Sequence, residues 1–188
     1  NIQEPDIDTL FEYSKNKKVV AIGETGLDYF RLKGDLTWQR DRFITHIHAA
    51  IKSSLPLIIH TRNAQDDTIR IMKEEGASSA TGVMHCFTES YEMAKKAIDL
   101  GFYISFSGII TFKNAESLRE TVKKVPIENI LIETDSPYLA PVPNRGKLNE
   151  PSNVKYVAEK IAELKSIPIE KVAEITTNNF FKLFSKCK

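Results

Sequence analysis

Four side chains that could bind a metal ion stand at or near the ends of four different apolar runs of the sequence. They are Glu24, His60, His85 and Asp135. Imidazole nitrogens and carboxylate oxygens are ligands for Zn, Mn and Fe, and for Mg when more oxygen is present. Taken singly, each residue also has a structural explanation, such as a rim histidine or an Asx turn before Ser-Pro. Their common position in four runs predicts a metal site.

Two acids follow the apolar run Ile130–Ile132, and Pro137 then interrupts the pattern. Because side chains alternate along a strand, this run predicts a buried β-strand whose last residues, Glu133 and Asp135, share one face. Burying two carboxylates at the mouth of an apolar strand is costly unless a cation meets them. We therefore interpret Asp135 as the anchor of a metal site of the kind found in metal-dependent hydrolases.

Two further patterns resemble chemical motifs but have simpler explanations. His46 and His48 match a His-x-His pair, yet they lie inside a predicted helix, where side chains two residues apart point ~200° apart. They are interpreted as ordinary helix residues. Cys86 neighbours His85 in a predicted strand, so its thiol should point the other way, as a small core residue rather than a nucleophile.

Basic residues near the predicted ligands suit an anionic substrate. Arg62 follows His60 by two residues, and Arg145 lies in the loop after Asp135, two residues before Lys147. Since arginine can bind phosphate through two parallel hydrogen bonds, these residues predict a phosphate-bearing substrate; the alternative is that they are solvated loop charges. Four aromatic residues near the same strand ends could stack the bases of a single strand or, as we favour, floor the pocket. They are Tyr29, Phe30, Phe87 and Tyr138.

Near-continuous apolar runs, typical of parallel strands buried on both faces, alternate with helical patterns. Strands are predicted at 18–24, 55–60, 81–87, 102–108 and 130–135. Helices are predicted at 6–16, 38–53, 65–75, 91–100, 116–123, 153–165 and 169–185. The predicted ligands fall at the carboxyl ends of strands, where α/β sheets and barrels carry active sites. A barrel typically needs ~250 residues, so the fold is either an open α/β sheet or a barrel lacking its first strands.

Composition sets the broad class. With 188 residues, 41% hydrophobic and 27% charged, the chain fits one globular domain. A net charge of +1 provides no broad electrostatic footprint for nucleic acid or membrane, so a phosphate would have to be held by a few placed residues. Two cysteines cannot form a disulfide framework, and neither a transmembrane run nor a signal peptide is visible, so we expect a cytoplasmic protein.

Seven short stretches, in order along the chain, resemble the TatD-type metal-dependent deoxyribonucleases of the amidohydrolase superfamily. They are GETGLDY at 23–29, LPLIIHTR at 55–62, MHCF at 84–87, SGI at 107–109, ETDSPYLAP at 133–141, RGK at 145–147 and NEP at 149–151. Together these motifs are highly specific, and the resemblance extends from about Val19 to the carboxyl end.

The resemblance implies a TIM-type (β/α)8 barrel that holds one or two divalent ions, Mg, Mn or Zn. It implies Glu24 as a bridging carboxylate, His60 and His85 as ligands of one ion, and Asp135 as ligand of the other and orienter or base of the attacking water. Arg62 and Arg145 would hold substrate phosphate. Glu133 receives no secure role from the resemblance and is interpreted as lying behind the ligands.

The implied activity is hydrolysis of DNA phosphodiester bonds by a monomer, on single-stranded DNA or DNA ends, without a membrane partner. The family's first strand carries a His-x-His pair, which is not found before Val19, and the sequence starts at Asn1. We therefore expect residues 1–188 to form a single domain that is N-terminally incomplete. Two alternatives stay open: a related amidohydrolase acting on a small-molecule ester or amide, and a truncated chain without activity.

Overall fold

A computed structural model describes residues 4–187, which form an alternating α/β domain. The strands are β1 (Ile22–Asp28), β2 (Leu57–Arg62), β3 (Gly82–Met84), β4 (Phe102–Phe106) and β5 (Ile130–Ile132). The α-helices are α1 (Ile7–Ser14), α2 (Thr37–Ser53), α3 (Gln65–Glu74), α4 (Tyr91–Asp99), α5 (Glu116–Lys124), α6 (Val154–Lys165) and α7 (Ile169–Leu183). Short 3₁₀ turns cover Ala77–Ser79, Gly108–Thr111, Ile127–Asn129, Pro151–Asn153 and Ser185–Cys187.

The five strands form one parallel sheet in the order β1-β2-β3-β4-β5, so each strand pairs with the next along the chain. This confirms the predicted α/β class with parallel strands. Within residues 4–187, β1 pairs only with β2 and β5 only with β4, so hydrogen bonds do not close the sheet into a ring. Because all the strands are parallel, their carboxyl ends lie at one edge of the sheet, where the predicted ligands gather.

Alternate side chains of the strands enter two apolar clusters on opposite faces of the sheet. Leu57 and Ile59 of β2 are fully buried in the larger cluster, which the helices cover. Between them, Ile58 packs with Val83 of β3 and Phe184, which follows α7. Burial on both faces explains why the strands read as continuous apolar runs.

Backbones approach closely around the first predicted ligand. A Cβ added to Gly26 would lie 1.9 Å from the carbonyl oxygen of His60, and the φ of Gly26 is +132°. A Cβ added to Gly23 would lie 2.8 Å from the carbonyl oxygen of Ile58. Glycines at 23 and 26 therefore permit the close backbone approach between β1 and β2 around Glu24.

The strand boundaries differ from the prediction. β2 lies two residues later than predicted, and β3 ends at Met84, so the prediction that His85 and Cys86 lie in this strand is wrong. The ladder between β1 and β2 continues to Asp28 and Arg62, so β1 lies later than predicted.

At β5 the strand ends at Ile132, so the prediction that Glu133 and Asp135 end the strand is wrong. Glu133 N still donates to Phe106 O (3.1 Å), but Asp135 adopts a left-handed conformation (φ 56°) and turns the chain out of the ladder.

None of the helices in residues 4–187 is both long enough and apolar enough to cross a membrane.

Candidate metal centre

The structure brings the four predicted ligands together at the carboxyl edge of the sheet. His60 Nδ1 lies 3.4 Å from Glu24 Oε1, and His85 Nε2 lies 4.0 Å from Glu24 Oε2. The same His85 Nε2 lies 3.3 Å from Asp135 Oδ1. Glu24 and His60 come from within β1 and β2, whereas His85 directly follows β3 and Asp135 follows β5 in a loop. Glu24 therefore stands between the two imidazoles, with one oxygen turned toward each.

Glu133 completes the cluster from behind His85. His85 Nδ1 donates to Glu133 Oε2 (3.1 Å), which also accepts a hydrogen bond from Cys86 N (3.2 Å). Glu133 Oε1 lies 3.0 Å from the same ring nitrogen but outside hydrogen-bond geometry, and it is buried without a donor among the described residues. A buried carboxylate oxygen without a donor is costly unless a cation meets it.

Three of these residues have the spacing of a metal site. His85, Glu133 and Asp135 each offer one ligand atom, and these atoms lie within 4.8 Å of one another. This trio shares His85 and Asp135 with the predicted ligands and includes Glu133 in place of Glu24 and His60. With Glu24 close by, the donor set combines imidazole nitrogen with several carboxylate oxygens, which fits Zn, Mn or Mg. The residues present therefore fit a divalent ion.

The charges around His85 also favour binding of a cation. The hydrogen bond to Glu133 raises the pKa of His85 from 6.5 to about 9, with the charges of Glu133, Glu24 and Asp135 acting in the same direction against burial. Burial raises the pKa of Asp135, and the neighbouring carboxylates add to this, although His85 opposes it. The carboxylates thus create a strongly negative environment that holds a cation, which in the metal-free chain is the protonated imidazole.

His60 also contacts a second carboxylate. Its Nε2 lies 3.2 Å from Asp28 Oδ2, and Asp28 Oδ1 accepts a hydrogen bond from Phe30 N (2.8 Å). Each predicted histidine ligand therefore has a supporting acid, Asp28 for His60 and Glu133 for His85. Supporting carboxylates fix the orientation and tautomer of metal-binding imidazoles. The sequence prediction gave Asp28 no role, because the predicted strand ended at Glu24, whereas β1 continues to Asp28.

The family model described as "TatD related DNase" matches residues 1–185. The chain belongs to the TatD family. It is 50% identical over 179 residues to the "Uncharacterized metal-dependent hydrolase YcfH" of Escherichia coli K12, covering 95% of this chain and 68% of that protein. It is 50% identical over 184 residues to the "Uncharacterized metal-dependent hydrolase YabD" of Bacillus subtilis, covering 98% of this chain and 72% of that protein.

Solved TatD structures share the fold. YJJV, a TatD homologue from Escherichia coli, superposes with a TM-score of 0.84 at 29% identity, covering 95% of this chain and 70% of that one. A TatD-family hydrolase from Entamoeba histolytica gives a TM-score of 0.82 at 26% identity, with coverages of 94% and 67%. The predicted TIM-barrel type of fold is confirmed, and this TatD chain is a metal-dependent hydrolase that spans about two thirds of its relatives' length.

The two predicted phosphate-binding arginines of the TatD chain lie on aromatic rings. The guanidinium carbon of Arg62 lies 3.6 Å from the ring centroid of Phe30, and that of Arg145 lies 3.7 Å from the ring centroid of Phe112. Arg145 Nη1 also donates to Ala140 O (3.3 Å). Among the described residues neither arginine forms a salt bridge, and both are exposed, so most of their donors remain available to an anion.

The four predicted aromatic residues have different surroundings. Phe87 is 1% exposed and packs edge-on against Phe106, so it cannot stack a base from solution. The hydroxyl of Tyr29 donates to Asp67 Oδ2 (2.8 Å), which ties the loop after β1 to helix α3. Phe30 supports Arg62, whereas Tyr138 is 70% exposed just after Asp135 and is free to contact a ligand.

His46 and His48 are confirmed as ordinary helix residues, whereas the prediction that Cys86 is a core residue of a strand is wrong, because Cys86 follows β3, adopts a left-handed conformation (φ 44°) and is half-buried. His46 and His48 both lie in α2, where His46 Nδ1 contacts Arg42 O (2.7 Å) and His48 Nε2 contacts Glu75 Oε2 (2.8 Å). Their different partners exclude a shared ion in this arrangement. Burial raises the pKa of the Cys86 thiol to about 12, so it is not a nucleophile at neutral pH.

Metal uptake by the TatD chain should release a proton. Because the pKa of His85 is about 9 rather than 6.5, its imidazole is protonated at pH 7.5, and a metal ion must displace about one proton. Affinity should therefore rise with pH until about 9. The stability of the metal-free chain depends on pH in the opposite direction. The raised pKa of His85 stabilises the fold fully below pH 6.5, and this contribution is lost as pH rises through about 9.

Titration calorimetry with Mn²⁺ at pH 7.5, in two buffers of different ionisation enthalpy, measures the protons released. Glu133→Gln should reduce the release, because the hydrogen bond to Glu133 is the largest cause of the raised His85 pKa. Glu75→Gln is the matched control, since it removes the carboxylate beside His48 instead. Equal proton release by the wild-type chain and Glu133→Gln would contradict Glu133 as the cause of the raised His85 pKa, and the absence of proton release from a wild-type chain that binds Mn²⁺ would contradict the assignment of His85 as a ligand.

Proposed function

We propose that the protein hydrolyses DNA phosphodiester bonds with a metal-activated water, on single-stranded DNA or DNA ends. The observation that carries the proposal is the grouping of two imidazoles and several carboxylates at the carboxyl edge of the sheet, with exposed Arg62 as the last residue of β2 and exposed Arg145 in the loop that follows Asp135. One set of groups suits a divalent ion, and the other suits a phosphate. A phosphodiester at this edge of the sheet would meet both at once.

Each residue has a defined role in this proposal. His60, His85 and Glu24 would hold one ion, and Asp135 would bind a second. When bound, a divalent ion lowers the pKa of a water molecule and neutralises charge that develops on the phosphate. Asp135 orients the attacking water and accepts its proton, for which a pKa raised by burial suits a base working near neutral pH.

Arg62 and Arg145 would hold the phosphate oxygens. Each guanidinium carbon lies over a phenylalanine ring, 3.6 Å and 3.7 Å from the centroids, and this contact would restrict its motion and lower the entropy lost when it binds an anion. Because the net charge is only +1, binding of phosphate by a few placed residues is favoured over binding by a broad positive surface. Exposed Tyr138 offers a ring on which an unpaired base could stack, which favours single strands and ends.

The proposal further takes the protein to act as a monomer and in the cytoplasm. Both cysteines, Cys86 and Cys187, are free thiols, as is usual for proteins of a reducing compartment.

Hydrolysis assays with labelled oligonucleotides test the proposal. We expect cleavage of single-stranded DNA in the presence of Mg²⁺, Mn²⁺ or Zn²⁺, slower cleavage of blunt duplex, and loss of activity with a chelator that added metal reverses. Small phosphate esters, carboxylic esters and lactones are assayed in parallel, because a related amidohydrolase would use these instead. Turnover of a small ester or lactone with oligonucleotides left intact would replace the nuclease proposal with that alternative.

A metal analysis addresses the second alternative, a truncated chain without activity. The residues 1–188 chain is purified, loaded with Mn²⁺ or Zn²⁺, and assayed for bound metal and for folding by circular dichroism. Near-stoichiometric metal supports a working site in this chain. A folded chain that retains no metal would support the view that this stretch is inactive by itself.

A further inference from the structure

Gln39 is a buried polar residue that no step of the proposed reaction uses. It lies in the first turn of α2, and only 5% of its surface is exposed. Its side-chain amide makes two hydrogen bonds to one residue: Asp28 N donates to Gln39 Oε1 (2.8 Å), and Gln39 Nε2 donates to Asp28 O (2.9 Å). Both polar atoms of a buried glutamine are therefore committed to the backbone of Asp28.

The geometry follows from the position of Asp28 in the sheet. In a parallel ladder, alternate residues turn both of their backbone groups toward the same neighbouring strand. Tyr29 N donates to Arg62 O of β2 (2.9 Å), so Asp28 turns its own N–H and C=O to the opposite side. The primary amide of Gln39 supplies one acceptor and one donor there, as a peptide group of a neighbouring strand would.

The side chain of Asp28 connects this fixed backbone to the candidate metal centre. Its Oδ1 accepts a hydrogen bond from Phe30 N (2.8 Å), and its Oδ2 lies 3.2 Å from His60 Nε2. The other ring nitrogen of His60 faces Glu24 Oε1 at 3.4 Å. A continuous series of contacts thus connects Gln39 to Asp28, to His60 and to Glu24.

We propose that Gln39 is a positioning residue of the metal centre. By fixing the backbone of Asp28, its amide sets where the Asp28 carboxylate lies, and the carboxylate sets the plane and tautomer of the His60 ring. The proposal deepens the proposed function, on which it rests in taking His60 as a metal ligand. Partners bonded directly to metal-binding imidazoles change metal affinity by ~10–100-fold, and because Gln39 acts through Asp28, its loss should have an effect near the lower end of that range.

The competing explanation is that Gln39 only satisfies two backbone groups at the end of β1. It would then contribute to stability without affecting the imidazole. The two explanations differ in what happens to His60 in chains that remain folded, and that difference can be measured with or without metal.

The first measurement is the ¹⁵N NMR signals of the His60 ring in the metal-free chain. Gln39→Met keeps the size and removes both hydrogen bonds, and we expect it to move the ring signals in the direction that Asp28→Asn moves them. Gln39→Glu keeps the acceptor for Asp28 N and loses the donor, so it should fall between Gln39→Met and the wild type. Gln65→Met is the matched control, because Gln65 accepts a hydrogen bond from Ser90 Oγ (3.0 Å), away from His60.

The second measurement is Mn²⁺ affinity in a double-mutant cycle. Gln39→Met should weaken binding by ~10-fold or more in the wild-type background and by much less when Asp28→Asn has already removed the carboxylate. Unchanged His60 signals in folded Gln39→Met would overturn the proposal, as would an equal affinity loss in both backgrounds. If the wild-type chain binds no Mn²⁺ and cuts no DNA, the proposed function fails, whereas the His60 signals still decide the role of Gln39.

Discussion

Replacing Asp135 with asparagine is expected to lower kcat/KM for single-stranded DNA by ~10³-fold, most of it in kcat, because general-base catalysis typically contributes ~10²–10⁴-fold. Asparagine has the shape of aspartate but can neither accept a proton from water nor balance a metal charge. It also tolerates the left-handed backbone that residue 135 adopts (φ 56°), so the loop should keep its conformation. The measurement is steady-state cleavage of a labelled oligonucleotide at saturating Mn²⁺.

The matched control for Asp135→Asn is Asp66→Asn. Asp66 is an exposed acid in the first turn of α3, so this variant changes the net charge equally without touching the ligands. Its kcat/KM should stay within twofold of the wild type. Undiminished cleavage by Asp135→Asn, in a chain that binds metal normally, would show that another group activates the water and would remove the central role given to Asp135.

The sequence alone predicted the sheet and the residues at its carboxyl edge, for a physical reason. Strands buried on both faces must be apolar throughout, so a histidine or acid at the end of such a run is conspicuous. Helix positions were also predictable, since amphipathic spacing and caps are local: α3 was predicted at 65–75 and lies at Gln65–Glu74. Parallel topology then placed the predicted ligands together without any knowledge of distances.

Contacts between distant residues could not be predicted in this way. The hydrogen bond between Glu133 and His85 joins residues 48 positions apart, and only the folded sheet defines the distance between them. Similarly, the role of Gln39 depends on how α2 packs against β1, which no local pattern encodes. The ends of β1 and β5 were misplaced because hydrogen-bond registers and a left-handed residue at Asp135, rather than hydrophobicity, set where these strands end.

The arginine–aromatic pairs also show that residue type could be predicted from the sequence whereas contacts between distant residues could not. Phosphate-binding arginines were predicted from residue type and from position near the ligands. Their support by Phe30 and Phe112 was not predicted, because each pair joins residues from different segments, 62 with 30 and 145 with 112. The sequence therefore supplies the chemistry of the candidate site, whereas the fold supplies the contacts that orient it.

Replacing Glu24 with glutamine should affect the metal centre more than any change behind the ligands. Glu24 Oε1 lies 3.4 Å from His60 and Oε2 lies 4.0 Å from His85, so this one carboxylate faces both imidazoles. Glutamine keeps the shape and removes the charge, and its amide nitrogen cannot bind a cation. We expect metal affinity to fall by more than the ~10–100-fold typical of supporting residues, and DNA cleavage to fall with it.

Mn²⁺ affinity is measured for Glu24→Gln, Glu133→Gln and Glu89→Gln. Each of these variants removes one negative charge near the same edge of the sheet. Glu89 only accepts a hydrogen bond from Asn63 N (3.0 Å), so its variant should bind Mn²⁺ as the wild type does. If affinity simply followed total charge, the three variants would weaken binding equally. A graded loss, largest for Glu24, smaller for Glu133 and absent for Glu89, is expected because only Glu24 lies between the two histidines.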